Sequence, residues 1–138
     1  MTESWWIMTR FKSIVLHTIF GIIGGGVYYA IEILWRGYSH WSMWLLGGVC
    51  FVLIGLLDEW QNHPPLWRQA VQGAIIVTVL EFLAGCIVNL WLGWGIWDYS
   101  DMPLNLLGQI CLPFSLAWVA LSVVAIKLEN FMHQFFDA

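Results

Sequence analysis

The chain has 138 residues, 60% of them hydrophobic and 10% charged, with five Lys and Arg against nine Asp and Glu and a formal net charge of −4. A soluble domain carries about 25% charged residues, so the composition excludes a water-soluble enzyme and a disordered segment, and the lack of basic excess excludes a nucleic-acid binder. What fits is an all-α membrane protein of four transmembrane helices, forming one transmembrane domain over residues 1–138.

Residues 13–35 hold a single charge, Glu32, and are expected to make the first crossing, since a helix spans the hydrocarbon core with about 20 apolar residues. The run is too long for the apolar core of a signal peptide and is expected to persist in the mature protein. Gly21, Gly25, Tyr28 and Glu32 share one helical face. The Gly21-x-x-x-Gly25 spacing permits close helix approach, and Glu32 and Arg36, four apart, are placed for an intrahelical ion pair. A short loop follows, with His40 read as an interfacial ring, a proton carrier or a ligand and Ser42 as a cap.

The second crossing, residues 41–58, is the shortest and is uncharged up to Asp58. Asp58 and Glu59 then open a longer loop, 58–68, in which Pro64–Pro65 stops the helix; the acidic pair reads as a solvated face. The third crossing, residues 68–95, carries Glu81 about 20 Å from Arg68 and about 25 Å from Asp98 along a helix axis. A carboxylate near mid-membrane must be paired, protonated or hydrated. Ala74, Thr78, Glu81, Gly85 and Asn89 share one face, which is expected to point into the bundle because lipid offers it no hydrogen-bond partners.

The fourth crossing is read as residues 103–126, capped by Asp101 with Pro103 in its first turn; Asn105 and Gln109 then share one face of that helix. Cys50, Cys86 and Cys111 have no CxxC spacing and read as small buried apolar residues. Four crossings put both termini and the middle loop on one side, which holds Arg10, Lys12, Arg68 and Lys127 against Arg36 alone. The positive-inside rule makes that side, and both termini, cytoplasmic, in a bacterial inner (cytoplasmic) membrane.

Under this layout Glu32, Arg36, His40, Asn89, Asp98, Tyr99, Asn105 and Gln109 fall in the outer half of the bilayer above Glu81. The expectation is a polar solute or ion pathway floored by Glu81 and lined by the aromatic rings of Tyr28, Trp35, Trp41 and Trp97. Trp35-Arg36-Gly37-Tyr38-Ser39 and Trp97-Asp98-Tyr99-Ser100 form a weak echo, as two parallel helical hairpins would produce, and place Arg36 and Asp98 for a pair.

The strings Glu32-Ile33-Leu34-Trp35-Arg36-Gly37-Tyr38-Ser39-His40-Trp41-Ser42, Glu81-Phe82-x-x-Gly85-x-x-Val88-Asn89, Trp97-Asp98-Tyr99-Ser100 and Asn105-x-x-Gly108-Gln109-Ile110-Cys111 resemble the small bacterial membrane family described as putative ABC-transporter type IV. The resemblance covers nearly the whole chain and implies a polytopic membrane protein with a transporter label. It supplies no substrate and no catalytic assignment.

No Gly-x-x-x-x-Gly-Lys-Ser/Thr phosphate loop is present, so ATP hydrolysis by that route would require a separate ATPase, most naturally docked at the loop 58–68. Four helices are few for enclosing a path, and a homodimer would supply eight. No HExxH or similar metal spacing occurs, and no cofactor is expected. The polar residues suit a transporter, permease or transporter component for a cationic or proton-coupled solute. Two other readings are an intramembrane enzyme acting on a lipid or lipid-linked headgroup, with Arg36 holding phosphate, and a non-catalytic accessory subunit.

Overall fold

The computed structural model describes residues 3–62 and 64–136. In chain order it contains α1 (Glu3–Arg36), α2 (Trp41–Trp60), α3 (Leu66–Gly85), a π-helical turn (Cys86–Trp91), two short strands β1 (Asn105–Leu106) and β2 (Ile110–Cys111), and α4 (Leu112–Phe136). Four helical stretches, Ile7–Arg36, Trp41–Trp60, Leu66–Trp91 and Leu112–Phe136, are long and apolar enough to cross a membrane. The chain divides into two compact units, one up to Val52 and one from Leu53 onward.

In the first unit α1 and the opening turns of α2 run antiparallel with their backbones in near contact. A methyl group at Gly25 would sit 2.2 Å from the Trp44 carbonyl oxygen, and one at Gly48 would sit 2.5 Å from the Gly21 carbonyl oxygen. The glycine spacing thus works as a close-packing seam, the outcome expected where small residues let two membrane helices approach. Trp44 strengthens it: its indole Nε1–H donates to the Ile22 carbonyl at 3.0 Å, and its ring lies 5.3 Å from that of Tyr29. Tyr28 lies over Gly47, its ring within 3.1 Å of where a β-carbon there would be.

In the second unit α3 and α4 pack antiparallel, with Gly73 against the Ser122 hydroxyl and Thr78 Oγ1 hydrogen-bonded to Ser115 Oγ at 3.0 Å. The final turns of α2 join them, Gly55 lying against the Glu129 side chain. Cys50 and Cys111 are buried and Cys86 is half-buried.

Several helix boundaries differ from the sequence-based expectation, among them the start of α1, at Glu3 rather than 13. The third helix changes to π geometry after Gly85 and ends at Trp91, four residues short of 95, where Gly93 and Gly95 adopt positive φ. The fourth helix starts at Leu112, not at 103. A helix over 103–126 would carry Pro113 in its interior, losing a backbone hydrogen bond and clashing with the preceding turn; starting at Leu112 moves that proline into the first turn, where it is tolerated. Residues 105–111 instead form a tight antiparallel hairpin with Asn105 opposite Cys111 and Leu106 opposite Ile110. Asn105 and Gln109 therefore do not share a helix face, and Asp101 does not cap α4. The helix recovers its length at the far end, reaching Phe136.

Candidate functional site

Glu81 is 2% exposed, on the small-residue face of α3 that also buries Ala74 and Gly85. Its carboxylate is held from two directions. Tyr99 Oη–H donates to Oε2 at 3.1 Å, and Trp118 Nε1–H donates to Oε1 at 3.4 Å. The Tyr99 ring stacks on Phe114 at 4.9 Å, and Phe114 in turn lies 6.4 Å from Trp118. A buried carboxylate thus meets neutral donors set in an aromatic wall.

Tyr99 reaches Glu81 because the chain between Trp91 and Leu112 is tightly cross-linked by hydrogen bonds. The Tyr99 N–H donates to the Gly108 carbonyl at 2.7 Å, and Trp97 Nε1–H donates to the Gln109 carbonyl at 2.9 Å. Asn105 Nδ2 donates to the Met102 carbonyl at 2.9 Å, while its Oδ1 accepts from the Gly108 N–H at 3.1 Å. Gly108 sits at φ +71°, and a β-carbon there would lie 2.8 Å from both Asp98 Oδ1 and Ser100 Oγ. Only a residue without a side chain meets both demands.

Asn89 and Gln109 tie this segment to the end of the third helix. Asn89 Nδ2 donates to Gln109 Oε1 at 2.8 Å, and Asn89 Oδ1 accepts from the Ile96 N–H at 2.7 Å. Gln109 and Trp97 are buried. Glu81, Asn89, Trp97, Tyr99 and Gln109 are thus brought into one connected network, whereas Asp98 and Asn105 are exposed and brace the loop.

Asp98 lies between the helices, and its Oδ1 accepts from the Ser100 hydroxyl and from the Ser100 N–H at 2.9 Å. Those two hydrogen bonds, the hydroxyl's first, hold its carboxyl below the ordinary value of 3.8. A group whose folded value is lowered stabilises above the unfolded value and loses that contribution as pH falls through the folded one. The protection factor of the Ser100 N–H, its exchange rate relative to the intrinsic rate at the same pH, should therefore hold at neutral pH and fall on acidification below 3.8; in Asp98→Asn it should be reduced throughout. A protection factor in the parent chain that does not change with pH would refute this.

In the first unit, Arg36 Nη2 pairs with Glu32 Oε1 at 3.0 Å, Ser39 Oγ–H donates to Glu32 Oε2 at 2.7 Å, and the guanidinium carbon lies 4.6 Å above the Tyr38 ring. His40 Nδ1 accepts from the Ser42 N–H at 3.2 Å and lies 2.7 Å from the Ser42 hydroxyl. Capping of α2 thus falls to His40 rather than Ser42, and the accepting Nδ1 leaves the ring proton on Nε2 when the ring is neutral. Trp35 and Trp41 are 78% and 63% exposed.

The second acidic region departs from expectation. Asp58 is 4% exposed, in a crevice with Leu57, Gln69 and Gln72, so it is no part of a solvated face, whereas Glu59 is exposed. Glu129 is also 4% exposed and His133 contacts it. Both lie beyond residue 126, the expected end of the fourth span, where hydropathy gives no signal for them.

Four apolar helices of spanning length among the described residues define a multi-pass membrane protein, and its second unit holds a polar cluster around a buried carboxylate. The family model described as "Putative ABC-transporter type IV" matches residues 15–137, and the chain belongs to that family. No curated protein and no solved structure is found to match it.

Proposed function

We propose that the chain is a transporter, permease or transporter component for a cationic or proton-coupled solute, with Glu81 as the group that carries positive charge. The observation that supports this reading is the burial of the Glu81 carboxylate at 2% exposure behind a tyrosine hydroxyl and an indole N–H. A buried acid inside a membrane span is costly to keep and marks ion or proton pathways more often than packing. Tyr99 and Trp118 hydrogen-bond to the carboxylate, and with Phe114 they present ring faces suited to an organic cation. Asn89 and Gln109 continue the polar path, beside the indole of Trp97.

In this reading the termini are cytoplasmic, the working form is a homodimer in a bacterial inner membrane, and any ATPase docks at the loop 58–68, where Trp60 and Trp67 are 81% and 72% exposed. Proteoliposomes holding the purified protein and a pH-sensitive dye test the central claim, with tetraphenylphosphonium as the cation. Uptake driven by a pH gradient is expected for the parent chain. It should fall to the protein-free level in Glu81→Gln and be partly retained in Glu81→Asp. Equal uptake in Glu81→Gln, or none in the parent chain, overturns the proposal.

A further inference from the structure

A second constellation lies in the same unit, where the last turn of α2 meets the last third of α4. Glu129 and His133 are four residues apart and so share one helical face, and Glu59 approaches from α2. His133 Nε2 lies 2.5 Å from Glu129 Oε1 and 3.0 Å from Glu59 Oε1. One ligand atom from each of the three residues lies within 4.8 Å of the others.

The place is shaped for these groups. Gly55 of α2 has no side chain where the Glu129 carboxyl enters; a β-carbon there would stand 2.7 Å from Oε1 and 2.9 Å from Cδ. The recess thus exists because that position is glycine, and it leaves Glu129 4% exposed. Asp58, also 4% exposed, adds a further carboxyl on the preceding residue of α2.

Two facts argue against a proton as the whole answer. An imidazole nitrogen has a single in-plane direction and can place one proton toward one oxygen, yet two carboxylate oxygens converge on Nε2. Charge points the same way: an imidazolium between two carboxylates leaves an unbalanced negative charge, to which Asp58 adds, in a bundle whose other residues are largely apolar. A divalent ion would instead balance Glu59 and Glu129 in charge and leave only Asp58 over, with neutral His133 giving its lone pair.

We propose that Glu59, Glu129 and His133 hold a divalent transition-metal ion, with zinc as the reference ion. Metal–nitrogen and metal–oxygen distances of about 2.0–2.2 Å require the His133–Glu129 contact to open, and Glu59, 42% exposed on its side chain, is free to adjust at the end of its helix. One nitrogen and two carboxylate oxygens favour zinc, manganese or iron over calcium or magnesium, because imidazole suits the former group. Three protein ligands leave room for water on the side where Glu59 meets solvent. The ion would clasp the end of α2 to α4. This site is separate from Glu81, and neither proposal depends on the other.

The test uses the full chain in detergent, its affinity tag removed, stripped with chelator and titrated first with Co2+ and then with Zn2+. A visible ligand-field band saturating at one ion per chain and displaced by Zn2+ is expected. Glu59→Gln, an exposed position that leaves packing intact, should weaken Zn2+ binding at least about tenfold, the smallest loss typical even for a residue supporting a metal ligand. His133→Asn should abolish the band, and His17→Asn should leave it unchanged. The absence of saturable binding in the micromolar range, or an affinity indifferent to both Glu59→Gln and His133→Asn, overturns the site.

Discussion

Gly25→Val should disrupt the first unit more than any other single substitution along its glycine seam. The new β-carbon would lie 2.2 Å from the Trp44 carbonyl oxygen and 3.0 Å from the Gly48 nitrogen. Both are backbone atoms of α2, so relief requires one helix to move. Overpacking costs typically about 1–3 kcal/mol, and more where backbone has to shift; about 3 kcal/mol or above is expected here. The Trp44–Ile22 hydrogen bond would be strained by the same displacement. Gly21→Ala provides the contrast, because its β-carbon would meet Val52 Cγ2 at 3.3 Å, a side-chain atom that can shift by tenths of an ångström. Thermal unfolding of the purified variants checks the order. If Gly25→Val melts with Gly21→Ala, the seam is not as tight as its geometry states.

The second large effect belongs to the donors at Glu81. Tyr99→Phe and Trp118→Phe each remove a hydrogen bond to a buried carboxylate while keeping an aromatic ring. Hydrogen bonds to charged groups are worth about 1.5–3 kcal/mol in soluble proteins, but interhelical ones in membranes average about 0.6 and reach about 1.7. The low exposure of Glu81 places these near the upper membrane figure, so the double variant should lose about 3 kcal/mol. Replacing the acid as well, with Glu81→Leu, should recover most of that loss, because the cost lies in the carboxylate left with fewer donors rather than in the missing hydroxyl and indole N–H. Unfolding of the single, double and triple variants decides this. A triple variant no more stable than the double would mean that the rings, and not the acid, hold the cluster together.

The parts of the fold that are legible in the residue order are those governed by local spacing. Charge-free runs locate four helices, a four-residue offset pairs Glu32 with Arg36, and the 74–78–81–85–89 face points Glu81 inward. The start of the fourth helix is not legible from hydropathy, which runs unbroken through 103–126 and treats Pro103 and Pro113 alike, although a single first turn can accept only one of them. A start at 103 puts Asn105 and Gln109 on one helix face and ends the span before Glu129 and His133. Asp58 likewise reads as solvent-facing beside its neighbour Glu59. Its burial depends on Gln69 and Gln72 of the next helix, which no local pattern reveals. The meeting of Glu59 with Glu129 and His133 joins positions some seventy residues apart, a distance at which spacing rules are silent.

The π-helical turn at Cys86–Trp91 has a further consequence. An amide that bonds five residues back, as Leu92 does to Ile87 at 2.9 Å, stores one residue more than an ordinary helical turn would use. Ordinary winding of the same residues would turn that surplus into further rotation and swing everything downstream by about 100° about the axis. Asn89 would then face away from its amide partner, so the surplus residue acts as an angular spacer that aims the chain's return toward the buried acid.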